Sequence, residues 1–301
     1  MDSKTPYFVA ALGSFIIWGF ISFCLHPLHL YNSADILFFR IFFSAGIISL
    51  VTFALRSKNF KEQAGIFKNL SSQQKKQTVV LTVLGGILLT ANWFFYIYVM
   101  NQISIKAASF AYLICPIITA ILASLILKEK LKLIQWIAVA LSMVSCVMLG
   151  TTSFIELLFS LIVALSYAFY LISQKRNSHI EKFVILTFQM LSSAILLLPF
   201  FPVFSTQIPT EISFYLLIVI LAVVFTIIPL LLNLIALKRI DSATMGILLY
   251  INPLLNFSIA FFYFHEKANS AQFTAYSILL LSIVLFNWNT FSKKGLAKKP
   301  N

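Results

Sequence analysis

The chain has 301 residues, 60% of them hydrophobic and only 10% charged, where a soluble domain carries about a quarter charged residues. So few charges cannot cover a globular surface, and lipid must be the solvent for most of the chain. The net charge of +13 falls mainly in the connections between apolar runs, where it orients the chain in a membrane and requires no nucleic-acid partner.

About 20 apolar residues in helix cross the hydrocarbon core. Ten such runs follow one another, at 7–25, 34–55, 78–100, 106–127, 131–150, 153–173, 183–203, 212–236, 242–264 and 270–290. The runs lack the alternation of membrane strands, so the predicted fold class is an all-α integral membrane protein with ten transmembrane helices. The N-terminal MDSKTP leads into a full-length run without a small-residue cleavage site, which predicts a retained first span and no signal peptide.

After that run, His26 and His29 read as a solvated pair with no further metal ligand nearby. The second run contains Arg40, a charge that costs about 2.5–3.5 kcal/mol at a helix centre. It lies near the outer end, which leaves three readings open: snorkelling to water, a structural salt bridge, or holding an anionic group of a solute. The third run places Asn92 and Tyr96 one turn apart, with Trp93 beside them. Aromatic and amide groups around a midplane cavity suit an amphipathic organic solute better than a bare ion.

In the fourth run Ala107, Ala111, Cys115, Thr119 and Ala123 recur every four residues. Such a strip reads as a packing seam between helices or as a cavity wall. Pro116, with Tyr112 one turn earlier, frees a backbone carbonyl in mid-span and predicts a hinge. Glu156, near the outer end of the sixth run, is the carboxylate candidate for coupling to a proton. The ninth run holds Tyr250, Asn252, Asn256 and a second hinge candidate, Pro253. Asn252 and Asn256 share a helix face, and their amides need either neighbouring helices or a polar cavity.

Placing the N-terminus inside puts Arg56, Lys58, Lys61, Lys128, Lys130, Lys132, Lys175, Arg176, Lys238 and Arg239 in inner connections, with only Lys106 and Lys267 outside. The positive-inside rule then sets both termini in the cytoplasm of a plasma (inner) membrane protein. Cys24, Cys115 and Cys146 fall on separate runs and read as small packing residues. No hydrolase, metalloprotease or phosphate-loop motif is present, so neither an enzyme nor a cofactor is expected.

The fourth and ninth runs, AYLICPIITAILASLILKEKL and LLYINPLLNFSIAFFYFHEKA, repeat one another at a constant offset. Pro116 pairs with Pro253, Glu129 with Glu266 and Gln135 with Gln272; Arg40 falls opposite Gln189 at a slightly larger offset. The chain therefore divides into residues 1–150, residues 151–292 and a basic tail, 293–301. Five helices is an odd number, so the second half enters the membrane inverted. Two inverted halves are the logic of secondary transporters.

FFRIFFS, NWFFYIYVMN, the Tyr112-to-Pro116 segment with LILKEKL, and GILLYINPLLNFSIAFFYFHE resemble the drug/metabolite transporter superfamily (EamA-type), most closely its RarD group. The resemblance implies ten helices in two inverted halves, a solute carrier or exporter, and a central cavity between the third, fourth, eighth and ninth helices. It gives functional weight to Arg40, Asn92, Trp93, Tyr96, Tyr112, Tyr250 and Pro253. Cys115 stands where the group usually has Asn, while Asn252 supplies that residue in the other half. The expectation is a transporter of a small organic solute, with a proton or ion as candidate coupling partner. The alternative is a non-transporting scaffold or sensor with the same fold.

Overall fold

The computed structural model describes residues 4–28, 30–99, 105–150, 154–205, 208–263 and 269–296, excepting the side chains of 22, 26, 97, 105–109, 256, 257, 260, 261 and 289–296. Among the described residues the fold is helical, with no strand. Seven stretches are long and apolar enough to cross a bilayer: Thr5–Leu25, Ser33–Leu55, Ser72–Tyr96, Phe154–Arg176, Lys182–Phe204, Ile212–Ala236 and Ser270–Trp288. Three shorter apolar helices, Phe110–Ile126, Leu133–Leu149 and Ser242–Leu255, fall at the remaining predicted runs.

The first half contains α1 (Thr5–Gly19), α2 (Ile21–Leu25), α3 (Ser33–Leu50), α4 (Ser57–Asn69), α5 (Ser72–Tyr98), α6 (Ile105–Ile126) and α7 (Leu133–Leu149). The second contains α8 (Phe154–Arg176), α9 (Lys182–Leu197), α10 (Phe201–Phe204), α11 (Ile212–Ala222), α12 (Ile228–Ala236), α13 (Ser242–Leu248), α14 (Ile251–Phe262) and α15 (Ser270–Leu296). A π-helical turn, Val51–Leu55, extends α3, and another, Val223–Ile227, joins α11 to α12.

Local chemistry sets the helix starts. Asn32 Oδ1 accepts from Ala34 N, and Ser71 and Gln74 exchange side-chain and backbone bonds in a capping box. Gln135 Oε1 accepts from Lys132 N at 2.9 Å, and Gln272 Oε1 from Asn269 N at 3.0 Å. The two glutamines paired in the sequence repeat thus do the same work at the starts of α7 and α15.

Basic residues near the connections satisfy helix ends, whose last carbonyls have no intrahelical donor. Lys175 Nζ donates to Leu237 O and Ile240 O beyond α12, Lys182 Nζ to Gln174 O and Asn177 O, and Arg176 to Ile126 O at the end of α6. The basic connection 56–76 contains a helix, α4, where the sequence shows only a charged segment. It has no buried residue, and Phe60 and Phe67 pack against Ile180, Val184 and Ile185. A short, polar helix of this kind lies along the bundle with its apolar side turned inward.

Packing follows a few strong partnerships. The α6 helix packs chiefly on α8 and α13, α5 on α8 and α9, α1 on α12, α3 on α9, and α7 on α15. Of the predicted small strip, Ala111, Cys115, Thr119 and Ala123 are fully buried, and Cys115 Sγ points at Ala164 O of α8, 3.5 Å away. The strip is a packing seam, as small residues allow where no hydrophobic drive joins helices.

Candidate functional site

A cavity of about 210 Å³ runs from Leu89, Tyr167 and Leu230 in mid-bundle to Leu25 and Ser33 beside the α2–α3 connection. Five of its walls are sequence-predicted: Arg40 from α3, Asn92, Trp93 and Tyr96 from α5, and Tyr112 from α6. Asn252 and the hinge candidate Pro253, both on α14, complete that group. The Tyr96 and Tyr112 rings lie 5.1 Å apart and form one aromatic wall.

Arg40 is only 8% exposed, so it does not snorkel. Its Nε donates to Thr226 Oγ1 at 2.7 Å and its Nη2 to Phe225 O at 3.3 Å. The guanidinium also lies 4.7 Å from the centroid of the Trp93 ring, a cation–π contact. Both oxygen acceptors come from the π-helical turn Val223–Ile227. Widening the ladder there leaves backbone groups available to neighbours. Thr226 Oγ1 donates onward to Leu221 O at 2.8 Å, while Trp18 Nε1 shares the Phe225 carbonyl at 2.9 Å. The one ion pair among the described residues is Arg56–Glu181, at the protein surface. Arg40 therefore has no salt bridge within them.

Asn92 is buried, and its Nδ2 donates to Val163 O at 2.9 Å and Ser166 Oγ at 3.2 Å. Its amide bridges α5 to α8 while its side chain borders the cavity. Asn252 differs, since its Oδ1 is buried without a hydrogen-bond partner. Tyr250 is not a cavity residue: it is fully buried in a cluster with Phe110, Leu113, Leu279 and Phe286. Tyr250 stands two residues before Asn252, about 200° round a helix, and so points away from the cavity that Leu249, Asn252 and Pro253 line. Glu156 sits in the first turn of α8 and does not line the cavity. Only the backbone of Asn256 is described, and His29, Glu266, Lys267 and the tail from residue 297 lie outside the described residues.

The C-terminal end of α6 is tied to α13. Glu129, in the α6–α7 connection, accepts from Ser242 N at 2.8 Å and Ala243 N at 3.0 Å, capping α13. Burial pushes its pKa up, against the downward pull of the two N–H bonds. Above this cap Gly246 meets Thr119, and a Cβ at Gly246 would stand 2.7 Å from Thr119 Cβ. Only glycine permits that crossing.

Residues beyond the sequence prediction are Trp18, Tyr167 and Tyr276 in the wall and Thr226 behind Arg40. Trp18 and Tyr167 are opposite one another in the sequence repeat, and that correspondence was the available signal. Thr226 gave none, because a threonine in an apolar run reads as an ordinary helix residue.

The comparisons with known proteins agree with this architecture. A family model described as the EamA-like transporter family matches residues 5–151 and 154–288. The chain is 30% identical to the uncharacterized transporter YojE of Bacillus subtilis, over 95% of this chain and 94% of that protein. It is 28% identical to Protein RarD of Streptomyces exfoliatus over 92% of this chain and 86% of that one, and 24% identical to Protein RarD of Escherichia coli over 95% and 96%. A solved crystal structure superposes with a TM-score of 0.74 at 16% identity, covering 95% of this chain and 99% of its own, a likeness of fold alone. A family match over nearly the whole chain, joined to a multi-pass helical bundle, settles the assignment: this protein belongs to the EamA-like transporter family.

Proposed function

We propose that the protein is a secondary transporter that exports a small organic solute across the plasma membrane by alternating access, with both termini in the cytoplasm. The observation that carries this reading is the aromatic and amide-lined cavity at one end of the bundle, with α6 and α13 joined at the other by Gly246, Thr119 and Glu129. Ten spans follow if the three shorter apolar helices cross the membrane as well as the seven long ones. The family model matches twice, which supports two repeats divided near residue 150.

Packing supports a two-fold relation between them, and five helices in each half would make it an inverted one. The α1–α12 contact has its counterpart in α8–α5, while α3–α9, α6–α13 and α7–α15 each pair an element with its own counterpart. A two-fold axis in the membrane plane generates such self-pairs. Trp18 and Tyr167, opposite in the repeat, meet edge to face with centroids 6.1 Å apart.

The test is reconstitution. Vesicles carrying the protein, loaded with a metabolite extract, should lose particular solutes faster than empty vesicles, and a Gly246→Leu variant should not. Identical profiles in all three would remove transport and favour a scaffold. Reporter fusions after Lys58 and Lys182 should read as cytoplasmic and one after Thr206 as external. A cytoplasmic Thr206 fusion would overturn the ten-span topology.

A further inference from the structure

Resting on the transport reading, we propose that the cavity takes an aromatic organic monoanion, an aryl carboxylate or sulfonate, with Arg40 as the counter-charge. A guanidinium carries five N–H donors and does not lose its proton in proteins. The described residues accept from two of the five, at Thr226 Oγ1 and Phe225 O, and both acceptors are uncharged. Asp35 on the same helix makes no ion pair with it. Arg40 itself lines the cavity. A buried charge with neutral partners leaves its electrostatic need unmet, and a carboxylate or sulfonate meets it through paired, charge-assisted hydrogen bonds.

The other walls limit what the anion is attached to. Trp18, Tyr96 and Tyr112 line the cavity, and side chains with an apolar ring and one polar atom favour a planar aromatic body. Asn252 brings a buried, unpartnered amide oxygen, which accepts a hydrogen bond from a hydroxyl or N–H on that body. No Asp or Glu lines the cavity among the described residues, so an ammonium group has no carboxylate there. The Trp93 face, the natural seat for a cation, is taken by Arg40. Zwitterions and cations are therefore poor ligands compared with monoanions of the same size.

Charge also gives direction without a coupling ion. A potential of 100 mV, negative inside, favours an external over an internal monovalent anion by about fiftyfold. A carrier of monoanions in such a membrane exports.

The test uses the full-length protein in lipid vesicles and four probes of similar size. These are benzenesulfonate, which stays charged and leaks little, neutral benzenesulfonamide, cationic phenyltrimethylammonium, and phenylalanine. Benzoate binding is followed separately by the fluorescence of the nearby tryptophans. The parent should carry benzenesulfonate at least tenfold faster than the cation or phenylalanine, and faster still into vesicles made positive inside. Arg40→Gln should reduce both flux and benzoate affinity at least tenfold, and Arg40→Lys should fall between.

Equal transport of the cation or the zwitterion by the parent overturns the inference, and that comparison needs no variant to fold. So does anion flux unchanged in an Arg40→Gln protein of parental melting temperature, or failure of both benzoate and benzenesulfonate to bind. The two levels separate cleanly. Arg40-dependent benzoate binding with no flux of any probe keeps the anion site and removes the transport reading. Flux of the cation without the anion keeps transport and removes the anion site.

Discussion

The two copies of one sequence, α6 and the α13–α14 pair, meet tightly at one end of the bundle and part at the other. Helix α6 packs closely on α13 and barely touches α14. At the joined end, Gly246 lies on Thr119 and Glu129 caps α13. At the parted end, Tyr112 and Asn252 face the cavity. The prolines occupy equivalent positions, yet α6 runs unbroken through Pro116 while the second copy turns at Leu249–Tyr250, before Pro253. The counterpart positions Arg40 and Gln189 differ in the same sense. Arg40 borders open space, whereas Gln189 is fully buried against Gly85, with its amide unpartnered. Sequence symmetry thus coexists with a structure whose two ends differ. Under the proposed alternating-access reading it is one of the two states such a carrier needs, with the joined end as the shut gate.

The sharpest way to break the comparison is to fill the crossing. Gly246→Leu inserts side-chain atoms where a Cβ is already 2.7 Å from Thr119. We expect a destabilisation of about 1–3 kcal/mol by overpacking, read as a lower melting temperature in detergent, and a loss of at least tenfold in flux. Gly65→Ala is the control, since nothing lies within 4 Å of a Cβ there. Parental stability and flux in Gly246→Leu would mean that the crossing does not hold this end shut.

A milder change releases the cap. Glu129→Ala removes the acceptor for two N–H groups at the start of α13, a loss of about 0.5–2 kcal/mol by analogy with other caps. In a background lacking Cys24, Cys115 and Cys146, Thr119→Cys should react only slowly while Glu129 is intact, since Thr119 is buried. With Glu129→Ala it should react faster with a polar thiol reagent applied from the cytoplasmic side. An unchanged slow rate would assign the seal to packing alone.

Smaller still are the paired glutamines. Gln135→Ala and Gln272→Ala each remove one N-terminal bond, at 2.9 and 3.0 Å, and should each cost about 0.3–1.5 kcal/mol in melting measurements. Near-equal losses support equivalent roles, and a large effect from one alone would show that the repeat is no longer symmetrical there.

The smallest expected effect is of pH. Burial raises the Glu129 pKa in the closed arrangement, so that arrangement holds the proton more tightly than one in which the carboxyl meets water. Closure is then favoured as pH falls through the raised pKa toward the ordinary carboxylate value, and this advantage is lost as pH rises back through it. The slow reaction of Thr119→Cys with Glu129 intact, taken relative to an exposed cysteine so that the thiolate fraction cancels, should therefore decrease on mild acidification, and Glu129→Gln should abolish that relative dependence. An increase on acidification would reverse the sign of the linkage.

Much of this organisation is local and was present in the sequence. Run length marks the apolar helices because the bilayer core has a fixed thickness. The Gln135 and Gln272 bonds could be read from spacing because a capping residue acts three positions away. Arg40, Asn92, Trp93, Tyr96, Tyr112 and Asn252 share one cavity, and each stood out as a polar or aromatic group in an apolar run. What the tertiary structure decided concerns residues far apart in the chain. Arg40 finds Thr226 through a π-helical turn, and no sequence pattern marks where a ladder widens by one residue. Tyr250 packs instead against Phe110 and Phe286, residues 140 and 36 positions away that no local pattern names as its neighbours. Hydropathy and charge act through the surrounding medium and so are read residue by residue. A partner for a buried cation is fixed only when helices from both halves have packed.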